Sequence, residues 1–290
     1  MARMLGIISS KQEHMSNRLV SLTKESPVLW RVILDNPPVN IFGPKSIPQF
    51  NEVLSEIETD KDVKVVVFES AIEGFFLTHY DFVSPAEDTA SLPPGPTGLL
   101  PWPDMLVRLS RAPVVSIAKI RGRATGCGSE LALSCDMRFA SLEKTIMGHF
   151  EVGAGIVPGG APMARLPRLI GRGRAMEVFM GADDMPGDVA ERYGYVNRAL
   201  PDAELDAFVD NLARRIASFD KQALTDTKRF VDVASLPSDY EAGAEMTVCY
   251  ASIGRPETQR RIKMLLEKGL HKAGDVETRL GYHVGQLGKE

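Results

Sequence analysis

The residues best suited to chemistry lie in APVVSIAKIRGRATGCGSELALSCDMRFAS, residues 112–141. An apolar run leads into Gly122, then Gly126-Cys127-Gly128, then Ser129-Glu130-Leu131. Glycines let the backbone turn sharply, and a helix is expected to begin directly after them. Its first amides have no intrahelical acceptor and carry the positive end of the helix dipole. Such a turn can hold an oxyanion with backbone donors alone. Glu130 falls in this helix, and a second carboxyl, Glu151, follows in MGHFEVGAG. Two carboxyls, one charged and one protonated, can position water and deliver a proton to carbon. Proximity would separate their pKa values and favour that division. Spacing alone does not bring them together.

Each of these residues also has an ordinary reading. Glu130 fits as a helix-start acid, Glu151 as a loop carboxylate, and the G-x-G turn as packing. Cys127 and His149 are the types of a thiol nucleophile and its base, although no third, orienting group stands out. Phosphate loops fit poorly: the sixth place of G-x-G-x-x-G is Leu131, and the P-loop lysine is missing. Asp136 reads as structural, satisfying buried amides. Basic residues cluster at Arg165, Arg168, Arg172 and Arg174, and again at Arg260, Arg261 and Lys263. Solvated helix faces are their default reading.

The elements that must position these groups are partly legible. Leu19 to Lys24 and Val28 to Asp35 are β-rich, and DNPPVN ends the second, since proline removes a ladder donor. A helix is expected from Ser46, with Gln49 completing a capping-box pattern. Ile47, Phe50, Leu54 and Ile57 form its apolar face. Val65 to Phe68 and Val114 to Ile117 are short apolar runs, typical of strands buried on both sides. Between them, Pro85 to Pro103 holds six prolines and two glycines. It suits no regular element and reads as a mobile loop or lid. Met137–Ala140 reads as a further strand. Beyond residue 200 the pattern turns helical: Leu205, Phe208, Val209, Leu212 and Ile216 share a face, and Lys221–Val233 and Glu257–Lys268 follow suit.

Bulk properties narrow the classes. The chain has 290 residues, 44% hydrophobic and 25% charged, the composition of a globular protein with a sizeable core. A net charge of -4 gives no global basic field to attract nucleic acid or an anionic membrane. Three cysteines with no CxxC pair suggest reduced thiols rather than a disulfide framework. The first residues, MARMLGIISSKQEHM, lack the apolar core of a secretory signal, and no run approaches the ~20 residues that span a bilayer. A cytoplasmic protein is expected, with residues 1–17 as a loose leader.

Three ordered segments together resemble the crotonase (enoyl-CoA hydratase/isomerase) superfamily. Residues 112–141 are similar to its K-P-V-I-A-A-V-x-G stretch, Gly-rich turn, E-L-A helix and C-D-x-x-x-A element. GFFLTHYDF, residues 74–82, resembles its F-x-x-G-x-D-[LI] segment, and residues 147–185 its F-G-x-P-E-x-x-x-G-x-x-P-G-x-G segment. The similarity runs from about Leu19 to Val196, and YGYVN, Tyr193–Asn197, looks like its A-x-x-x-G-L-V packing element.

The resemblance implies an α/β fold: a crotonase-like β-β-α superhelix core over residues 18–200, then a helical trimerisation region over 201–290. It implies an oxyanion hole from the backbone N–H groups of Tyr80 and Cys127, with Glu130 and Glu151 as the catalytic carboxyls. The substrate would be an acyl-CoA thioester, with coenzyme A as its only cofactor-like part, no metal, and no nucleic-acid or membrane partner. The assembly would be a homotrimer or dimer of trimers. The implied reaction is hydration of a 2-enoyl-CoA to a 3-hydroxyacyl-CoA, as in fatty acid metabolism. Double-bond isomerisation, or a catalytically silent acyl-CoA-binding member, are the alternatives. His79 in place of the usual glycine, Tyr80 in place of alanine, and His149-Phe150 in place of Gln-Pro depart from the family pattern and bear on substrate shape.

Overall fold

The computed structural model describes residues 18–289, so the expected leader over 1–17 lies outside the described residues. Among them, ten strands form two sheets. The larger sheet runs β1 (Val20–Ser26), β2 (Leu29–Leu34), β3 (Val65–Ser70), β5 (Val115–Ile120), β7 (Met137–Ser141) and β10 (Arg198–Leu200). The smaller runs β4 (Phe75–Leu77), β6 (Arg123–Thr125), β8 (Ile146–Gly148) and β9 (Met185–Pro186). Only β1 with β2 and β8 with β9 pair antiparallel. The helices are α1 (Ser46–Thr59), α2 (Ala86–Ala90), α3 (Pro101–Arg111), α4 (Cys127–Ser134), α5 (Pro162–Ile170), α6 (Arg172–Gly181) and α7 (Gly187–Tyr193). They continue with α8 (Asp202–Ala217), α9 (Lys221–Ser235), α10 (Asp239–Ile253), α11 (Pro256–Lys268), α12 (Asp275–Thr278) and α13 (Leu280–Gln286).

The chain steps from the large sheet to the small one three times: β3 to β4, β5 to β6, β7 to β8. Each step turns sharply, and the turns stack on one another. Arg123 N–H donates to Gly74 O at 2.9 Å, and Ile146 N–H to Gly122 O at 3.2 Å. Strand, strand, helix thus repeats as a superhelix, with β4, β6 and β8 lying parallel side by side.

The apolar runs are buried on both faces, as their composition predicts. Val66 and Phe68 face the main core with Trp30, Phe50, Leu54 and Ile57. Val65 and Val67 face the other way, onto Leu205, Val209 and Ala213 of α8. A third cluster gathers Phe150, Ala154 and Ile156 against Ile262, Leu265 and Val284 of the C-terminal helices.

Three local expectations are corrected. The Pro85–Pro103 segment contains helix α2 and the first turn of α3, with Pro101 at its first position. First-turn amides need no intrahelical acceptor, so proline is tolerated there. Asp104 organises the loop between, accepting from Thr97 N–H at 3.0 Å and its hydroxyl at 2.7 Å. Gln49 does not cap α1. Its Oε1 accepts from Leu19 and Val20 N–H at 2.8 and 3.2 Å, tying the helix to the start of β1. Arg165 is buried rather than solvated, donating to Ser110 Oγ at 2.9 Å, and burial lowers its pKa to about 10. Asp136 is structural as expected, accepting from Ser116 N–H at 2.8 Å.

Candidate active site

The three parallel strands of the small sheet end side by side, and each runs on into one site segment. Strand β4 leads to His79-Tyr80, β6 to Gly126-Cys127, and β8 to His149-Phe150-Glu151. Adjacent strands lie about 4.8 Å apart, so these segments converge. They line one cavity of ≈ 340 Å³ to which Tyr80, Cys127, Glu130 and Glu151 all contribute. All four residues singled out from the sequence are therefore brought together. Trp102, Phe82, Ile156, Met246 and Ile253 make much of the remaining wall apolar.

The amide of Tyr80 is aimed by a single parallel bridge to Phe42. Phe42 N–H donates to His79 O at 3.1 Å, and Asp81 N–H donates to Phe42 O at 2.8 Å. The bonding groups on either side of Tyr80 thus face Phe42, and its own N–H faces the opposite way. Cys127 is the first residue of α4, so its N–H has no carbonyl a turn earlier to bond. Each of these peptides is polarised from behind, through His79 O by Phe42 and through Gly126 O by Glu130 N–H at 3.0 Å. Gly126 makes the turn at φ 56°, where an L side chain is strained and its Cβ would stand 3.2 Å from Glu151 Oε1.

Glu130 is held by three N–H donors. The Trp102 indole donates to Oε2 at 2.6 Å, and the amides of Gly160 and Gly159 donate to Oε1 at 2.7 and 3.2 Å. Gly160 must lack a side chain, since its Cβ would lie 2.4 Å from Glu130 Oε2. Burial raises the Glu130 pKa and the neighbouring Glu151 charge adds to it, while His149, Trp102 and Gly160 pull it back. Glu151 opens a 3₁₀ turn, Glu151–Ala154, and its Oε2 has no hydrogen-bond partner. The Cys127 thiol is pushed well above its ordinary range by burial, then by the charges of Glu130 and Glu151. A thiolate nucleophile is thus disfavoured at this position.

The unusual His79 also lines the cavity, and both of its ring nitrogens are engaged. Its Nδ1 bonds Tyr80 O at 2.9 Å and its Nε2 bonds Glu277 Oε1 at 2.9 Å. Tyr80 O can only accept, and an ionised Glu277 accepts as well, so these partners favour a proton on each ring nitrogen. Burial alone would lower the His79 pKa, but the Glu277 carboxylate overrides it and the net shift is upward. His271 stacks on this ring at 5.0 Å and is pushed down to about 4 by burial and the His79 charge. The Tyr80 hydroxyl bonds Thr89 Oγ1 on α2 at 2.6 Å.

Trp102 and Glu277 escaped the sequence reading. A lone tryptophan after a proline-rich stretch, and an acid 198 residues from its histidine, carry no local signal.

A β-β-α superhelix with such a cavity defines a protein of the crotonase class. A family model described as enoyl-CoA hydratase/isomerase matches residues 25–272, and the chain belongs to that family. It is 32% identical over 199 residues to the short-chain-enoyl-CoA hydratase of Clostridium acetobutylicum, covering 69% of this chain and 75% of that one. It is 30% identical to mouse enoyl-CoA hydratase domain-containing protein 2, mitochondrial, over 63% of this chain but only 62% of the mouse protein. A crystal structure from Streptomyces avermitilis, of a protein with enoyl-CoA hydratase as its proposed activity, superimposes with a TM-score of 0.88 at 38% identity. That match covers 93% of this chain and 97% of the other.

Proposed function

We propose that this protein hydrates a 2-enoyl-CoA to a 3-hydroxyacyl-CoA. The observation that carries the reading is the meeting of Glu130 and Glu151, two buried carboxyls, with Tyr80 and Cys127 around one cavity. The thioester oxygen would lie between the Tyr80 and Cys127 amides, which meet the charge that develops as water adds to C3. Loss of one such donor typically costs ~10²–10³ in rate. The two glutamates would hold the water and pass a proton to C2, each role being worth roughly 10²–10⁴. Relatives named for short-chain enoyl-CoA and crotonyl-CoA hydration support the same chemistry. His79 and Tyr80 leave the cavity open at ≈ 340 Å³, which argues against a silent member.

Coenzyme A would enter as part of the substrate. A second cavity shares Asp81 with the first and is lined by Lys45 and Lys272, cationic groups suited to phosphates. A homotrimer or dimer of trimers is our reading of the assembly. Its support is α9, which buries no apolar side chain of its own and exposes Phe230 (69%) and Val233 (82%). A cytoplasmic setting accords with three free cysteines.

Double-bond isomerisation is the second reading, and one observation favours it. Glu130 already holds three N–H donors, which would leave Glu151 as the single mobile base. Purified full-length protein should bleach the conjugated thioester absorbance of crotonyl-CoA and yield 3-hydroxybutyryl-CoA. Migration of the double bond in a 3-enoyl-CoA, with no hydration, would establish the isomerase instead.

A further inference from the structure

Three buried polar atoms without hydrogen-bond partners sit together beside the cavity: Nδ1 and Nε2 of His149 and Oε2 of Glu151. Nδ1 lies 3.5 Å from that Oε2, with the His149 side chain 0% and the Glu151 side chain 9% exposed. The ring packs on Phe179, centroids 5.0 Å apart, an apolar neighbour that offers no acceptor. Buried donors and acceptors are almost always satisfied. A rotation of the carboxylate by a few tenths of an ångström would satisfy Nδ1 and Oε2 through each other. Glu130 presents the opposite case, fixed by three N–H groups from α3 and the Gly159-Gly160 turn.

We propose that His149 is a positioning residue for Glu151, donating Nδ1–H to Oε2 and thereby turning Oε1 toward the oxyanion turn. Oε1 already faces Gly126, the residue before the Cys127 amide. The proposal deepens the hydratase reading and rests on Glu151 being one of its acid–base groups. It gives the two glutamates different duties. Glu130 is a fixed carboxylate locked by indole and backbone amides. Glu151 is held on one oxygen only and leaves the other free to exchange a proton. Glu130 also faces His149, while His79 and Tyr195 bear on Glu151.

Two measurements on the full chain test the pairing. Ring spectra of ¹⁵N-histidine-labelled protein, with the His149 signal assigned by its loss in His149→Gln, should find Nδ1 protonated. That signal should move in Glu151→Gln. A His149 ring protonated only at Nε2, or a signal indifferent to Glu151→Gln, overturns the proposal whatever the activity. In crotonyl-CoA hydration, His149→Leu should lower kcat about tenfold or more, the scale of a misplaced catalytic group, with KM within about twofold. His149→Gln keeps an N–H donor and should recover most of the loss. Equal losses in the two variants, or none in either, also overturn it. If His149→Leu does not fold, the spectra and His149→Gln still decide. Wild-type protein without turnover would sink the hydratase reading, and the ring spectra would still judge the pairing.

Discussion

The Trp102 indole N–H donates to Glu130 Oε2 at 2.6 Å, with both side chains buried. The first turn of α3, where the proline-rich segment ends, is thereby joined to the first glutamate of the site. A carboxylate so held cannot swing, and its charge is matched by donors that need no reorganisation. Trp102→Phe keeps the ring and removes the donor. It should cost about 1–3 kcal/mol of stability, the scale of an unsatisfied buried acceptor, and lower hydration about tenfold or more. Thermal melts and steady-state kinetics check both. Unchanged turnover would show that the indole only packs.

The two glutamates separate hydration from isomerisation. Glu130→Gln and Glu151→Gln should each lower hydration of a short 2-enoyl-CoA by ~10²-fold or more. Glutamine keeps size and polarity, so calorimetry should still detect thioester binding. Damage confined to Glu151→Gln would favour one-base isomerisation.

Cys127 should act through its backbone. Cys127→Ala should retain at least about a tenth of the activity, whereas loss of a nucleophile removes far more. Mass spectrometry of protein quenched during turnover should find no acyl group on Cys127, consistent with a thiol whose pKa is raised by burial.

The His79–Glu277 pair predicts a pH window. The His79 pKa is raised from 6.5, so its contribution is whole below that pH and is lost as pH rises through the folded value. The Glu277 pKa is lowered from 4.5 despite burial, chiefly by the His79 charge. Its contribution is whole above that pH and lost as pH falls through the folded value. Glu277→Gln should cost about 3–5 kcal/mol, the scale for breaking a buried pair. The gap in melting temperature from wild type should be widest between pH 4.5 and 6.5 and narrow on either side. A gap independent of pH would mean that the pair is not ionic.

Assembly is checked on α9. Val233→Glu places a charge where 82% of an apolar side chain meets solvent in the single chain. If that face lies between subunits, light scattering should show smaller species. An unchanged assembly would move the interface elsewhere.

The sequence by itself determined the pieces that local pattern encodes. Glycine turns, buried apolar runs and ordered motifs placed Tyr80, Cys127, Glu130 and Glu151 in one family site. Backbone conformation and hydrophobic period are short-range properties, and motifs record them directly. The tertiary structure decided what those residues touch. Three parallel strands bring residues 79–80, 126–127 and 149–151 to one edge. Packing then chose Trp102 for Glu130, Glu277 for His79, and a buried setting for His149 and Arg165. Such partners depend on which side chains meet after burial, a property of the whole chain that no window of sequence contains.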